Sequence, residues 1–449
     1  MTNRRSFLIV MACAATPLAV SVPAQSRAQQ ATAKAATAVT QVFGNGVRLV
    51  AVAIEYDASV GATSLDADGF HVEGRTVVGV FASASPNPAD RAASGRFVIV
   101  ELSPGDADAG LSQKPAGPMG RQGQGDASSG ARPGPPAGAG GSRGPGNAGD
   151  IPAFDSVYRQ PRAEVTLPGG DRLPTTQVEN LVVDDFRQLV FDDPQTGKRL
   201  RYNLFVPKGY DARRSYPLVL FMHDAGATSD VTRTTLLQGL GAIAWASPED
   251  QAKRPCFVLA PQYAEIIADD DSRTSNALDA TINLIESLAG QYSIDRKRLY
   301  TTGQSGGCMM SIAMGIKYPE FFAASFYVAG QWDPTLVAPL AKQKLWILVS
   351  QDDDKAFPGQ NAIAAALAKN GARISRAEWD GTWSAAQFRP AFDKIDAEDS
   401  PINYVTFRKG TVIPPGDSTA GAGGHRNTWR VAYTVAPIRE WIFRQRLAR

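Results

Sequence analysis

The chain has 449 residues, a formal net charge of +2 and 43% hydrophobic residues. This length predicts two or three globular domains, and the apolar content is ordinary for folded proteins. The near balance of basic and acidic residues argues against nucleic acid, or a strongly acidic substrate, as the partner.

The first 28 residues have the pattern of an export signal. Arg4-Arg5-Ser6-Phe7-Leu8 follows the twin-arginine pattern, an apolar run continues to about Val22, and Ser26-Arg27-Ala28 offers small residues for cleavage. The run is short and contains proline, so a membrane anchor is less favoured. We therefore expect export to the periplasm or beyond, with no integral membrane segment after signal removal.

Residues 38–186 are predicted to form a small β-sandwich. Short apolar strands are expected at 46–56, 76–81, 95–102 and 163–167, with spacings typical of such a domain. Between about 103 and 153, glycine, proline, alanine and serine replace the large apolar residues. Such a tract buries too little apolar surface to offset its ordering entropy, and we predict a disordered insert.

Residues 187–449 show an α/β pattern. The predicted strands and helices alternate, which favours a mostly parallel sheet covered by helices on both faces. Strands are expected at 201–207, 216–223, 257–261, 323–329 and 345–350, and helices at 276–292, 361–370 and 437–446. Cys256 and Cys308 lie in apolar surroundings, so two buried free thiols are preferred over the disulfide that export would permit.

The pattern Gly-x-Ser-x-Gly occurs where a strand is expected to turn into a helix. Gly303-Gln304-Ser305-Gly306-Gly307 follows a short strand pattern and precedes an apolar helix. This context is typical of a nucleophile turn, in which the serine projects from a strained backbone. Gly140-Gly141-Ser142-Arg143-Gly144 also fits the pattern, but it lies in the Gly/Pro-rich tract. Ser305 is therefore the candidate nucleophile.

A serine nucleophile needs a base, and the chain has three histidines. His71 belongs to the predicted β domain and His223 ends a buried strand, so elimination leaves His425, in a glycine-rich loop before the last helix. A carboxylate that orients the histidine is expected after the 345–350 strand, where the residue pattern leaves all three aspartates of 352–354 open. The order serine, aspartate, histidine is that of α/β-hydrolases.

Two backbone amides are candidates for an oxyanion hole. One belongs to Gly306 and the other to Ala225, in the loop after the 216–223 strand. In this interpretation His223 shapes that loop. A substrate pocket is predicted from His223 and Asp224 together with Gln304 and Trp332, and core packing is an equal alternative for the tryptophan.

The region from about residue 187 resembles secreted α/β-hydrolase esterases of the polyhydroxybutyrate depolymerase and predicted peptidase group. The resemblance rests on the strand and loop at 218–226, the turn at 302–307, and His425 with Trp429 and the closing helix. It implies that the acidic member lies four residues before a proline, which selects Asp354. Some of these esterases carry an N-terminal immunoglobulin-like domain, which the β region resembles. Asp224 replaces the family's usual glycine.

These observations predict an exported serine hydrolase of small or polymeric carboxylic esters. Ser305, His425 and Asp354 would form the triad, and no cofactor or metal is expected. A serine peptidase with the same triad remains an alternative, because only the pocket and leaving group distinguish the two reactions. An inactive binding protein with a hydrolase fold is the alternative from another class. Nothing in the sequence predicts the oligomeric state.

Overall fold

The computed structural model describes residues 31–113, 157–417 and 423–448. The predicted signal at 1–28, the motif at 140–144 and most of the predicted insert lie outside these ranges. Within them, the strands form two large sheets. The domain boundary predicted near residue 187 stays a prediction; the first sheet ends at Asn180 and the second begins at Phe186.

The first sheet combines seven of the described strands in the order β3-β8-β9-β1-β2-β5-β4. β9 changes partners along its length, because Arg172–Pro174 pair with β8 and the residues from Thr175 onward pair with β1. Val72 on β3 and Val165 on β8 share a buried cluster with Val52 and Val98, so the outer strands fold over the sheet. The strands and a small separate hairpin, β6 with β7, have these bounds: β1 Ala33–Phe43, β2 Gly46–Gly61, β3 His71–Val72, β4 Val77–Ser83, β5 Ser94–Leu102, β6 Ser112–Gln113, β7 Val157–Tyr158, β8 Glu164–Thr166 and β9 Arg172–Asn180.

The second sheet holds nine described strands in the order β10-β11-β13-β12-β14-β15-β16-β18-β17. β10, β11 and β13 pair antiparallel, and the remaining neighbours pair parallel, so the prediction of a mostly parallel sheet is confirmed. β12 and β16 are buried along their whole length, as their continuous apolar sequences predict. The bounds are β10 Phe186–Asp192, β11 Arg199–Phe205, β12 Tyr216–Met222, β13 Phe257–Gln262, β14 Ile294–Gln304, β15 Ala324–Val328, β16 Leu345–Ser350, β17 Ile374–Trp379 and β18 Ile402–Phe407.

Helices connect the parallel strands. Each parallel connection must return the chain to the same end of the sheet, and helices are the usual way to do so. The described α-helices are α1 Thr234–Leu237, α2 Leu240–Ala246, α3 Pro248–Lys253, α4 Ala277–Gln291, α5 Gly306–Lys317, α6 Ala356–Lys369, α7 Ala385–Asp396, α8 Gly423–Ala432 and α9 Ala436–Arg444. In the parts of the chain that the structure describes, none of the helices has the length and apolarity needed to cross a bilayer.

The structure corrects two of the sequence predictions about local structure. α6 begins at Ala356 and not at Asn361. His425 lies on α8, whereas the glycines around it had indicated a loop. The two cysteines are free and buried, as predicted, and burial raises the pKa of the Cys256 thiol to about 12.

Candidate active site

Ser305 stands at a strained turn between β14 and α5. Its backbone has φ 51° and ψ −119°, a conformation that residues with a Cβ rarely adopt. Two glycines allow this turn. A Cβ on Gly303 would lie 2.4 Å from the Gly307 carbonyl, and a Cβ on Gly307 would lie 2.1 Å from the Met222 carbonyl oxygen. The backbones of β12, β14 and α5 are therefore in direct contact here, and the side chain of Ser305 projects away from them.

His425 contacts the hydroxyl of Ser305. Its Nε2 lies 2.8 Å from Ser305 Oγ, although the two residues are 120 positions apart. His425 lies on α8, and this helix is anchored to the end of β16, because Thr428 Oγ1 accepts a hydrogen bond from the Ser350 amide at 3.2 Å. A Cβ on Gly424 would lie 2.3 Å from the Asp352 carbonyl oxygen, so glycine lets the helix lie against the loop after β16. Trp429, one turn along α8, packs edge-on against the imidazole with ring centroids 5.0 Å apart.

The carboxylate that contacts His425 belongs to Asp353, so the prediction of Asp354 is wrong. Asp353 Oδ2 lies 2.5 Å from His425 Nδ1, and the residue is 2% exposed. Asp353 Oδ1 accepts hydrogen bonds from the amides of Lys355 at 3.2 Å and Ala356 at 2.8 Å, at the start of α6. These two hydrogen bonds hold the Asp353 side chain inward, whereas Asp354 is exposed.

The two amides proposed for the oxyanion hole are neighbours. Ala225 begins a short 3₁₀ turn, Ala225–Ala227, and Gly306 begins α5. The Ala225 nitrogen lies 3.6 Å from the position that a Cβ on Gly306 would occupy. Amides at the first positions of helices have no intrahelical acceptor, so both are available to a ligand oxygen.

His223 is buried and holds the Ala225 loop in place. Its Nδ1 lies 2.7 Å from the Asp224 carbonyl oxygen, and its Nε2 accepts a hydrogen bond from the Tyr263 amide at 3.0 Å. This pattern requires a neutral ring with the proton on Nδ1. Burial lowers the pKa of His223, and the hydrogen bond to the Asp224 carbonyl opposes that shift only partly.

Asp224 connects this loop to the nucleophile turn. Its Oδ1 accepts the Gly226 amide at 2.9 Å and thereby caps the 3₁₀ turn. Its Oδ2 accepts a hydrogen bond from Gln304 Nε2 at 3.0 Å, directly before Ser305. The Asp224 side chain therefore fixes the two loops against each other.

Ser305 and His425 line a cleft of about 180 Å³, together with Ala225 and Gly306. The other lining residues are Ala268, Asp269, Asp270, Met309, Gln331 and Lys355. None of the four predicted pocket residues lines this cleft. His223 and Asp224 border a separate void of only about 10 Å³. Gln304 connects two loops by hydrogen bonds, and Trp332 is buried in the core. The polar lining residues were missed because they lie on three separate loops, with no motif to connect them.

Comparison with known proteins gives matches to esterases. Residues 35–167 match the model of the esterase Ig-like N-terminal domain. A segment of 83 residues is 31% identical to acetylxylan esterase A of Emericella nidulans. That match covers 18% of this chain and 26% of the relative, so the chain spans about a quarter of the relative's length.

The crystal structure of a thermostable esterase matches nearly the whole chain. The TM-score is 0.71 at 24% identity, and the alignment covers 92% of this chain and 100% of that chain. The match shows that the two proteins share a fold. The chain is similar to esterases that carry an N-terminal immunoglobulin-like domain.

Proposed function

We propose that this chain is a serine hydrolase of carboxylic esters. The observation that carries the proposal is the continuous hydrogen-bonded series from Ser305 through His425 to Asp353, with distances of 2.8 and 2.5 Å. The series lies at a cleft that Ala225 and Gly306 also line. The similarity to an acetylxylan esterase and to a thermostable esterase supports an ester as the substrate.

In the proposed reaction, Ser305 Oγ attacks the ester carbonyl carbon and His425 Nε2 takes the hydroxyl proton. The carbonyl oxygen becomes an oxyanion that accepts hydrogen bonds from the Ala225 and Gly306 amides. Asp353 holds the imidazole in the tautomer with Nδ1 protonated and stabilises the imidazolium. The C–O bond to the alcohol then breaks, and His425 returns the proton to the departing oxygen. Water attacks the acyl-enzyme by the same route and releases the acid.

We also propose that the protein acts after export. The twin-arginine pattern at Arg4-Arg5 supports this step, because such signals direct folded proteins across the cytoplasmic membrane. Fractionation of cells that produce the full chain, compared with an Arg4→Lys, Arg5→Lys variant, tests it. Retention of only the variant in the cytoplasm is the expected result.

The activity is tested with p-nitrophenyl acetate and a fluorophosphonate probe. Wild-type protein should hydrolyse the ester and be labelled once, and Ser305→Ala should lose both properties. Ser142→Ala is a matched control, because it changes the second Gly-x-Ser-x-Gly sequence. No turnover and no labelling of the wild type would contradict the proposal and favour a binding protein.

A matched amide distinguishes an esterase from a peptidase. The p-nitroanilide with the same acyl group presents the same carbonyl with a poorer leaving group. An esterase should hydrolyse the ester and leave the anilide and short peptides intact. Comparable turnover of peptides would overturn the ester assignment while leaving the triad in place.

A further inference from the structure

A polar bridge lines the cleft, and the proposed reaction does not use it. The bridge consists of Asp270, Gln331 and Lys355, which all line the same cleft as Ser305. Asp270 Oδ1 accepts a hydrogen bond from Gln331 Nε2 at 2.8 Å, and Asp270 Oδ2 forms an ion pair with Lys355. Both charged side chains are more than half exposed. Exposed ion pairs add little to stability, so a ligand can replace these contacts at little cost.

Three loops hold the bridge in position. The loop that carries Asp270 is a hairpin closed by an isolated bridge between Ala268 and Thr274. It is fixed to the Gln331 loop by a hydrogen bond from the Asp333 amide to Ser272 Oγ at 2.8 Å. Lys355 precedes α6 directly. Because contacts other than those of the polar bridge hold these loops, the polar groups remain at the cleft when a ligand replaces one of their mutual contacts.

Asp269 provides a second and independent indication of a ligand. The residue is 3% exposed and lines the cleft. Its Oδ1 accepts the amides of Asp271 and Arg273, each at 3.0 Å. Its Oδ2 has no hydrogen-bond partner among the described residues, and Arg273 Nε lies 4.0 Å away, beyond hydrogen-bonding distance. A buried acceptor without a donor is costly, and a ligand that donates a hydrogen bond would satisfy it after a small shift of the Asp269 side chain, because Oδ2 has almost no exposed surface.

The charges of these residues restrict the ligand. An anionic group would meet the carboxylates of Asp269 and Asp270, and a cationic group would meet the ammonium group of Lys355. A hydroxyl group both donates and accepts hydrogen bonds, so it can pair with carboxylates, an amide and an ammonium group. Several neighbouring hydroxyl groups on a neutral molecule therefore match this lining best.

The position of Lys355 indicates which part of an ester the bridge contacts. Its amide donates to Asp353 Oδ1, and Asp353 contacts His425, which must protonate the leaving alcohol. The apolar lining consists of small or slender side chains, namely Ala225, Ala268 and Met309. We propose that Asp269 and the polar bridge bind a neutral polyhydroxylated alcohol, such as a sugar ring, esterified with a short acyl group. This inference rests on the proposed ester hydrolase activity.

Two acetates of similar shape test the inference. Glucose acetylated at its primary hydroxyl carries free hydroxyl groups, and cyclohexylmethyl acetate has a ring of the same size without them. The wild type should show kcat/KM at least about tenfold higher for the sugar acetate, since polar groups left unpaired discriminate against the analogue. Asp270→Asn and Lys355→Met should each reduce that preference, mainly through KM. Asp271→Asn is the matched control on the same hairpin, because Asp271 does not line the cleft.

The outcomes separate this inference from the proposed function. Equal kcat/KM for the two acetates, with turnover that depends on Ser305, would overturn the sugar assignment and leave the esterase proposal intact. An unchanged preference in both Asp270→Asn and Lys355→Met, with melting temperatures like that of the wild type, would also overturn it. Absence of any Ser305-dependent ester turnover would overturn the proposed function together with this inference.

Discussion

Gly44, in the turn between β1 and β2, lies against the backbone carbonyl of Arg430 on α8. A Cβ on Gly44 would be 2.5 Å from that carbonyl oxygen, which is closer than real Cβ atoms approach. α8 also carries His425. The first sheet therefore contacts the helix that positions the proposed base, and Val42 and Val47 beside this turn belong to the same buried cluster as the second sheet.

This contact predicts that Gly44→Ala will impair catalysis from a distance. The added methyl group must displace α8 or the β1–β2 turn, and His425 moves with α8. A misplacement of about 1 Å can cost about a hundredfold in rate, so we expect kcat for p-nitrophenyl acetate to fall by about tenfold or more. Gly110→Ala is the control in the same sheet region, because no atom of the described residues lies within 4 Å of its Cβ position. Gly44→Ala with the activity and melting temperature of the wild type would show that the contact does not support α8.

The second prediction distinguishes Asp353 from Asp354. Asp353→Asn keeps the shape of the side chain but removes the acceptor that fixes the tautomer of His425. We expect kcat to fall by about 10³- to 10⁴-fold, the size of effect seen when a triad carboxylate becomes an amide. Asp354→Asn should stay within about twofold of the wild type, because surface substitutions away from the site have small effects. The reverse ranking of the two variants would mean that His425 pairs with Asp354 during turnover.

The third prediction concerns the strain at Ser305. Ser305→Ala and Ser305→Gly both remove the hydroxyl group, but only glycine accepts φ 51° and ψ −119° without a Cβ clash. Such strain costs about 1–3 kcal/mol, and the greater freedom of unfolded glycine offsets part of the gain. We expect the free energy of unfolding of Ser305→Gly to exceed that of Ser305→Ala by about 1 kcal/mol in urea denaturation. Equal stability of the two variants would show that the turn is not strained.

The sequence allowed the central strands and the nucleophile turn to be predicted because their signals are local. Leu345–Ser350 is a run of six residues that is buried throughout, and a continuous apolar run of this length is typical of a strand covered on both faces. The turn at Ser305 needs glycines at fixed offsets, which the sequence displays directly. These features depend only on neighbours along the chain.

The residue pattern left the three aspartates of 352–354 open, and the proline spacing implied by the resemblance selected Asp354. The sequence pattern also placed the start of α6 five residues too late. With the helix starting at Ala356, the amide of its first residue donates a hydrogen bond to Asp353 Oδ1 and fixes that side chain. The glycines before His425 suggested a loop, but Gly424 lies on α8. The position needs glycine because the contact with Asp352 leaves no room for a side chain, and a tertiary contact of this kind has no local signal in the sequence.

The polar bridge could not be predicted from the sequence. Asp270 is separated by 61 residues from Gln331 and by 85 from Lys355, and each looks like an ordinary solvated loop residue in its own segment. The parallel sheet brings the loops at its carboxyl edge together, which is where sites form in such folds. Which side chains meet there is decided by the loop conformations.

The last prediction is a pH dependence of stability that originates at His223. Burial lowers the pKa of this histidine from its ordinary value of 6.5, so the folded protein keeps the ring neutral where the unfolded chain takes up a proton. The stabilisation from neutral His223 is therefore complete above the unfolded pKa and is lost as the pH falls below it. His223→Gln lacks this proton uptake. We expect the variant to be less stable than the wild type near neutral pH, because it leaves buried partners unpaired.

The difference in the free energy of unfolding between the wild type and His223→Gln should therefore shrink as the pH falls from about 7.5 to about 5.5, by at most about 1.4 kcal/mol per pH unit for one proton. Urea denaturation of both proteins across this range measures it, and groups that titrate alike in the two proteins cancel in the difference. A difference that stays constant would mean that folded His223 takes up a proton as readily as the unfolded chain does. The hydrogen bond that Nε2 accepts from the Tyr263 amide would then have to be broken, since a protonated ring has no acceptor.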